Sequence, residues 1–297
     1  MKSFEFNKLF ILQSLSPEDM VNGYAEPNTK LMETIDSVKK HNCKLSYFNY
    51  ELITINGGKS QFENIIARIV DQCSSKNVYP MIHFLGHGEQ DQGVFIWNDK
   101  KKNDDCIIWK ELFYQLAKVN KACHNNLFFT TTACHGFDSF KALFIYELPV
   151  IPIVGIIAID PKDDFYVDDA DVIFCQVYKT LLETRSIINA FTATKALEPK
   201  LIGKLPYIAF SDDWFVHVYK NVLKLNSPYS TSNIAKHIET VAIELKLSDE
   251  EKNNLFANYM GDVESYKQLD YIAIRDKLFM LNDPMVKRER FNLPDSI

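Results

Sequence analysis

The chain has 297 residues, enough for one large domain or for a domain with a smaller appendage. Hydrophobic residues make up 46% and charged residues 24%, as in ordinary globular proteins, and the formal net charge of −6 gives no reason to expect nucleic-acid binding. Six scattered cysteines without a Cys-x-x-Cys pair argue against a zinc site and against a secreted disulfide framework.

The sequence shows no targeting or membrane pattern. Residues 1–8 lack the apolar core of a signal peptide, and no apolar run approaches the roughly 20 residues needed to span a bilayer. We therefore expect a cytoplasmic protein that does not associate with a membrane. A reducing compartment would also keep its cysteines as thiols.

Apolar segments of strand length alternate with helical patterns over the first 210 residues. Strands are predicted at or within residues 9–13, 44–52, 81–88, 93–97, 127–136, 150–159 and 205–210. Helices are predicted at about residues 31–38, 60–73, 105–116, 137–147, 168–184 and 186–197. This alternation indicates an α/β fold with a mostly parallel sheet and helices on both faces.

Local signals predict where two helices begin and where a loop lies. Ser60 and Glu63 match a capping box, and Asp104 or Asp105 is expected to cap the following helix. The segment from Pro17 to Pro27 is expected to be a loop because it carries two prolines and a glycine.

The pattern changes at about residue 227. Residues 228–297 show helical periodicity without a strand pattern, and Ser248 with Glu251 matches another capping box. We expect the first domain to cover residues 1–227 and an all-helical C-terminal appendage to cover residues 228–297. The sequence leaves open whether this appendage packs on the first domain or receives a partner.

Two predicted strands end on residues that can carry chemistry. The first ends on His87-Gly88 and the second near Cys134, and ligands of α/β proteins bind beyond the carboxyl ends of parallel strands. A cysteine nucleophile reacts as thiolate and needs a nearby base. Cys134 follows His87 by 47 residues, close to the separation of about 50 in caspases. We expect a His87–Cys134 catalytic dyad, with the N–H groups of Gly88 and Cys134 stabilising an oxyanion.

The ordered set of motifs resembles the caspase-like cysteine peptidases, most closely their bacterial CHAT branch. The set comprises the His-Gly pair, the Ala-Cys-x-Gly strand end, and the segments 93–97, 108–112, 154–155, 168–170 and 174–178. The resemblance covers about residues 5–215 and implies a caspase-like fold and a cysteine endopeptidase. It implies no metal and no other cofactor, one dedicated protein or peptide substrate, and a role in bacterial antiviral defence or cell death.

The substrate preference is expected to differ from that of caspases. Cleavage after aspartate needs cationic groups, but only Arg68 and Arg185 precede residue 270, and Thr132 stands where caspases have glutamine. Related separases, metacaspases and paracaspases prefer basic residues. The acidic loop after the predicted strand at 150–159 is therefore expected to bind a basic side chain, with Asp160, Asp163 and Asp164 as the candidates. An aspartate directly before the nucleophile, as in metacaspases, is missing, so an apolar preference stays open.

Activation is expected to come from a protein partner or a conformational change. Caspase zymogens are cut between the nucleophile strand and the next strand, but residues 137–152 are predicted to be largely helical and leave little room for a removable linker.

Two other groupings of reactive residues, and two other functions, are less well supported by the sequence than the dyad. Cys123-His124 lies in a polar loop and lacks strand-end placement, and His83 with His87 lacks a third ligand for a metal. The main rival function is a catalytically silent caspase-fold adaptor for protein–protein interaction, against which the retention of both His87 and Cys134 counts. A weaker rival is a thiol acyl-transfer enzyme acting on a small substrate.

Overall fold

The computed structural model describes most of the first 219 residues and part of the remainder. The described residues are 5–21, 28–90, 92–141, 148–159, 167–197, 206–219, 235–236, 238–240, 243, 248–254 and 271–295. The chain divides into two compact units, Met1–Ser211 and Asp212–Ile297. This division lies ahead of the predicted boundary at residues 227 and 228, and the roles predicted for the two domains stay predictions.

In its described residues, the first unit contains nine strands in two sheets. They are β1 (Lys8–Gln13), β2 (Asn49–Thr54), β3 (Pro80–Leu85), β4 (Gly88–Glu89), β5 (Gly93–Asn98), β6 (Asn103–Ile107), β7 (Phe128–Thr131), β8 (Gly155–Ala158) and β9 (Tyr207–Phe210). The six-stranded sheet has the order β2-β1-β3-β7-β8-β9, and every pair in it is parallel except β8–β9. A second, antiparallel sheet has the order β4-β5-β6. The predicted α/β class with a mostly parallel sheet is confirmed.

The described helices of the first unit are α1 (Pro17–Val21), α2 (Thr29–His41), α3 (Gly58–Lys76), α4 (Trp109–Ala122), α5 (Gly136–Lys141), α6 (Val167–Thr184) and α7 (Ile187–Thr194). A further helix, α8 (Ser211–Val218), begins at the last residue of the first unit and continues into the second. The chain moves one way along the sheet from β1 to β2, and the opposite way from β2 to β3 and from β3 to β7. Because such crossovers are right-handed, α2 lies on one face and α3 with α4 on the other. Accordingly, α3 packs against α4, whereas α2 packs against α6.

The central strands are buried along their whole length, which explains their unbroken apolar sequences. All six residues of β3 and all four of β7 are buried. Strands of a parallel sheet that are covered on both faces have this pattern. The helix α3 adds one apolar face to the core, formed by Phe62, Ile65, Ile66, Ile69 and Cys73.

Two predicted helix caps are wrong. The helix α3 begins at Gly58, ahead of Ser60, and Lys59 N in its first turn donates to Asp105 Oδ2 at 3.1 Å. Gln61 Oε1 accepts from the two N–H groups that precede the helix, Asn56 N at 2.8 Å and Gly57 N at 2.6 Å. Asp104 and Asp105 do not cap α4, because both lie in β6, whose pairing with β5 extends from residue 103 to residue 107.

Three element boundaries also differ from the prediction. The segment from Pro17 is helical up to Val21, because Ser16 and Asp19 bond each other's backbone N–H groups as a capping pair does. The predicted strand at 44–52 is a 3₁₀ turn at Cys43–Leu45 followed by β2. The predicted strand at 150–159 is shortened to β8, at Gly155–Ala158.

In the second unit, the described residues contain helix and turn but no strand. Aromatic rings form its core: the ring of Phe215 lies 5.9 Å from that of Tyr271 and 5.4 Å from that of Phe279. The predicted capping box at Ser248 is confirmed, since Glu251 Oε2 accepts from Ser248 N at 2.8 Å and Ser248 Oγ accepts from Glu251 N at 3.3 Å. None of the described helices in the chain is long and apolar enough to cross a bilayer.

Candidate active site

The strands β3 and β7 end side by side, and this brings their following residues together. They pair in parallel up to Phe84 and Thr131, and Thr132 N then donates to Phe84 O at 3.0 Å. His87 follows the end of β3 by two residues, and Cys134 lies in the turn between β7 and α5. Both predicted dyad residues therefore lie at the carboxyl edge of the sheet, on neighbouring strands.

The segment carrying His87 touches the segment carrying Cys134. A Cβ placed on Gly88 would lie only 2.6 Å from Cys134 O and 3.4 Å from Cys134 N. Only a glycine permits this approach, since a methyl group would overlap the carbonyl oxygen. The backbone segments that carry the two predicted residues are thus in contact. His87 is exposed and Cys134 is partly buried.

Asp19 holds the ring of His87. Its Oδ2 lies 3.1 Å from His87 Nε2, and the two side chains are 21% and 49% exposed. The same oxygen accepts from Ser16 N at 2.8 Å, and Asp19 N donates to Ser16 Oγ at 3.1 Å. Burial raises the pKa of the Asp19 carboxyl, but the bonds from Ser16 and the interaction with His87 outweigh this effect and hold its pKa below the ordinary value.

A second carboxylate lies within electrostatic reach of His87. Partial desolvation raises the pKa of Asp104; His87 acts in the opposite direction, and the neighbouring Asp19 and Asp105 raise it further. The ion pair that the structure records for His87 is the one with Asp19, not with Asp104. One carboxylate therefore bonds the ring and the other contributes negative potential.

The helix α1, which carries Asp19, is linked to the strands around the site through Ser14, a buried residue that directly follows β1. Ser14 N donates to Leu85 O at 2.8 Å, and Ser14 Oγ accepts from Trp97 N at 2.8 Å. On the same strand as Trp97, Phe95 N donates to His87 O at 3.0 Å. The backbones that carry Asp19 and His87 are thus both tied to β5.

In the β4–β5 ladder, the backbone N–H of Gly88 does not bond to the neighbouring strand. Gly88 pairs with Val94, and the bond from Phe95 N to His87 O identifies this as a pair without mutual hydrogen bonds. The N–H of Gly88 consequently points away from β5. The geometry is compatible with the oxyanion role predicted for Gly88 and Cys134.

A second histidine, His83, lies on β3 and faces β7 in the interior of the sheet. His83 Nδ1 lies 2.8 Å from Thr130 Oγ1, which lies 2.7 Å from Tyr178 OH, and the rings of Phe174 and Tyr178 contact the imidazole edge to face. Burial lowers the pKa of His83 to about 3, so the ring is neutral. This arrangement describes a core histidine, and among the described residues no cluster of three potential metal ligands occurs.

The other candidate residues from the sequence either have structural surroundings of their own or lie outside the described part of the chain. Cys123 is buried at the end of α4, away from any strand end. Arg68 bonds Glu51, and Arg185 lies over the ring of Tyr47, 5.0 Å from its centre. The predicted substrate-binding residues Asp160, Asp163 and Asp164 lie outside the described residues.

Sequence reasoning missed Asp19, although a signal was present. Ser16-Pro17-Glu18-Asp19 places a carboxylate three residues after a serine, as in a capping box. The two prolines of the segment favoured a loop, and nothing in the pattern linked this turn to a residue 68 positions further along.

No protein-family model matches this chain, and no curated protein is similar enough to it to count as a relative.

Proposed function

We propose that the protein is a caspase-like cysteine endopeptidase that uses His87 and Cys134. The observation that carries the proposal is the contact between the Gly88 position and the Cys134 backbone, with 2.6 Å from a Cβ at residue 88 to Cys134 O. This contact supports the proposal because it brings the backbone segments that carry His87 and Cys134 together at the carboxyl edge of a parallel sheet, the usual ligand-binding edge of such folds. The mostly parallel α/β architecture is compatible with the caspase-like fold that the motifs resemble.

The proposed reaction proceeds through an acyl-enzyme. His87 takes the proton of the Cys134 thiol, and the sulfur attacks the carbonyl carbon of the scissile peptide bond. The N–H groups of Gly88 and Cys134 stabilise the oxyanion, an interaction worth about 2.7–4 kcal/mol for each donor. His87 then gives its proton to the leaving amine, and water, deprotonated by His87, releases the acyl group and restores the thiol.

A basic side chain before the cut is the proposed substrate feature. Asp160, Asp163 and Asp164 follow the segment that contains β8, which neighbours β7. We further propose one dedicated protein substrate in the cytoplasm, activation by a partner protein or a conformational change, and a role in antiviral defence or cell death.

A peptide library with every residue type before the cut tests the activity and the preference together. The wild-type protein is expected to cleave after lysine or arginine, and Cys134→Ala and His87→Gln are expected to abolish cleavage. Cys123→Ala is the matched control, since its thiol is buried away from the site.

An acyloxymethyl ketone peptide probe tests the thiol without requiring turnover of a natural substrate. Mass spectrometry should locate the adduct on Cys134 in the wild-type protein and find none after His87→Gln. A protein that neither cleaves the library nor accepts the probe at Cys134, with either basic or apolar peptides, would contradict the endopeptidase and favour the adaptor.

A further inference from the structure

The ring of His87 has two nitrogens, and the structure distinguishes them. Nε2 lies 3.1 Å from Asp19 Oδ2, whereas no described residue forms a recorded hydrogen bond with Nδ1. A carboxylate can only accept, so the hydrogen in this contact belongs to Nε2. In a neutral imidazole with the hydrogen on Nε2, the lone pair that can take a proton is on Nδ1.

We propose that Asp19 is the positioning residue of the His87–Cys134 site, because it holds His87 in the tautomer that presents the Nδ1 lone pair to the thiol. The inference rests on the proposed function and adds to it a third side chain and an assignment of the two ring nitrogens. The thiol proton moves to Nδ1, and the resulting imidazolium keeps its Nε2 hydrogen on the Asp19 carboxylate. No further reactant is needed.

Asp19 is itself held in place, as a positioning residue must be. The same Oδ2 that faces His87 also accepts from Ser16 N, and Ser16 Oγ accepts from Asp19 N in return. Ser16 lies only two residues after Ser14, which is bonded to the backbones of Leu85 and Trp97. A residue whose rotamer is fixed by such contacts loses little conformational entropy when it orients the ring.

Asp104 provides a matched control, because it acts on His87 only through electrostatics. It lies close enough for His87 to act on its pKa, but the recorded ion pair of His87 is with Asp19. Removing either carboxylate removes one negative charge near the ring, whereas only the loss of Asp19 removes the bond to Nε2. The two variants thus separate orientation of the ring from general negative potential.

The first experiment compares peptide cleavage by Asp19→Asn, Asp19→Glu and Asp104→Asn. The amide introduced by Asp19→Asn can donate to Nε2 and force the hydrogen onto Nδ1, which removes the base. We expect kcat to fall about 10²-fold with KM unchanged, because correctly placed general bases contribute roughly 10²–10⁴-fold. Asp19→Glu should recover part of the loss, and Asp104→Asn should stay within about twofold of wild type.

The second experiment does not depend on proteolysis. Nitrogen-15 chemical shifts of the His87 ring, assigned with His87→Gln, report the tautomer, and alkylation of Cys134 by iodoacetamide at pH 6.5 reports activation of the thiol. Wild type should carry the hydrogen on Nε2, and Asp19→Asn should shift it to Nδ1 and slow alkylation about tenfold. The exposed Cys43 is the internal reference for alkylation.

Each outcome bears on the inference. Equal effects of Asp19→Asn and Asp104→Asn, or an unchanged tautomer and alkylation rate in Asp19→Asn, would overturn the positioning role. If no variant and no wild-type sample cleaves any peptide while Cys134 alkylation still depends on Asp19, the positioning role stands and the endopeptidase proposal fails. Thermal unfolding of each variant shows whether a loss of activity comes from misfolding. Ser16→Ala loosens Asp19 without replacing it, so we expect a smaller fall in kcat and in the alkylation rate.

Discussion

Two histidines only four residues apart in the chain, His83 and His87, have very different surroundings. His83 faces Thr130 and His87 lies beside the Cys134 segment, and 47 residues separate the members of each pair. The inner histidine is only 2% exposed and contacts two aromatic rings, whereas the side chain of the outer one is 49% exposed and contacts a carboxylate.

The difference shows that environment, not residue type or spacing, decides what each histidine can do. The inner ring is confined to its neutral form, since burial lowers its pKa to about 3, and its Nδ1 lies 2.8 Å from the buried hydroxyl of Thr130. The outer ring has solvent on one side and Asp19 on the other, so a positive charge on it can be compensated. The four predictions below test this contrast.

Replacing the two histidines by glutamine should give opposite outcomes. We expect His87→Gln to lower kcat/KM for peptide cleavage by about 10³-fold or more while the free energy of unfolding changes by less than about 0.5 kcal/mol, because the side chain is half exposed. His83→Gln should lower the free energy of unfolding by about 1–3 kcal/mol and leave the activity of the folded fraction intact. Urea unfolding and initial rates measure both. A large activity loss in both folded variants would show that the contrast is wrong.

Gly88→Ala tests the contact that joins the outer pair. The added methyl would lie 2.6 Å from Cys134 O, so one of the two backbones must move, and we expect a loss of about 10²-fold in kcat. Gly57→Ala is the matched control, since its methyl would meet the flexible side chain of Gln61 at 3.0 Å. Initial rates of peptide cleavage by the two folded variants are compared. Similar rates in both would show that activity does not depend on the close approach of Gly88 to the Cys134 backbone.

Acid should destabilise the protein through the inner histidine. The unfolded chain binds a proton at His83 below about pH 6.5, whereas the folded chain does not until about pH 3. Stability is therefore lost as the pH falls through this window, by up to about 1.4 kcal/mol per pH unit. Between pH 7 and pH 5, urea unfolding should show about 2 kcal/mol more destabilisation in wild type than in His83→Gln. Equal losses in the two proteins would place the acid sensitivity elsewhere.

Tyr178→Phe is expected to have the smallest effect. It removes the hydroxyl that lies 2.7 Å from Thr130 Oγ1 and should lower the free energy of unfolding by about 1 kcal/mol. Thermal unfolding should show a Tm lower by about 2–4 °C. Tyr114→Phe, at a half-exposed tyrosine on α4, should leave the Tm almost unchanged. If cleavage activity fell in Tyr178→Phe, the inner network would be coupled to the outer pair.

The local corrections show where the sequence signal was ambiguous. Asp104 and Asp105 precede a helical pattern, and an aspartate in that place favours a helix cap. Pairing with β5 places both in a strand instead, and Asp105 Oδ2 accepts from Lys59 N, at the start of a different helix, at 3.1 Å. A short-range signal cannot anticipate which helix start an acidic side chain will reach across the fold.

The amino-acid sequence by itself determined the α/β class, the buried central strands and the placement of His87 and Cys134 at strand ends. Hydrophobic periodicity and chain length specify such features locally, because a covered parallel strand must be apolar throughout. Only the tertiary structure decided that Gly88 approaches the Cys134 backbone, that Asp19 bonds the outer ring and that His83 is enclosed. These contacts join residues that are distant in the chain. The order of the strands and the placement of the helices bring them together, and no local sequence pattern encodes either.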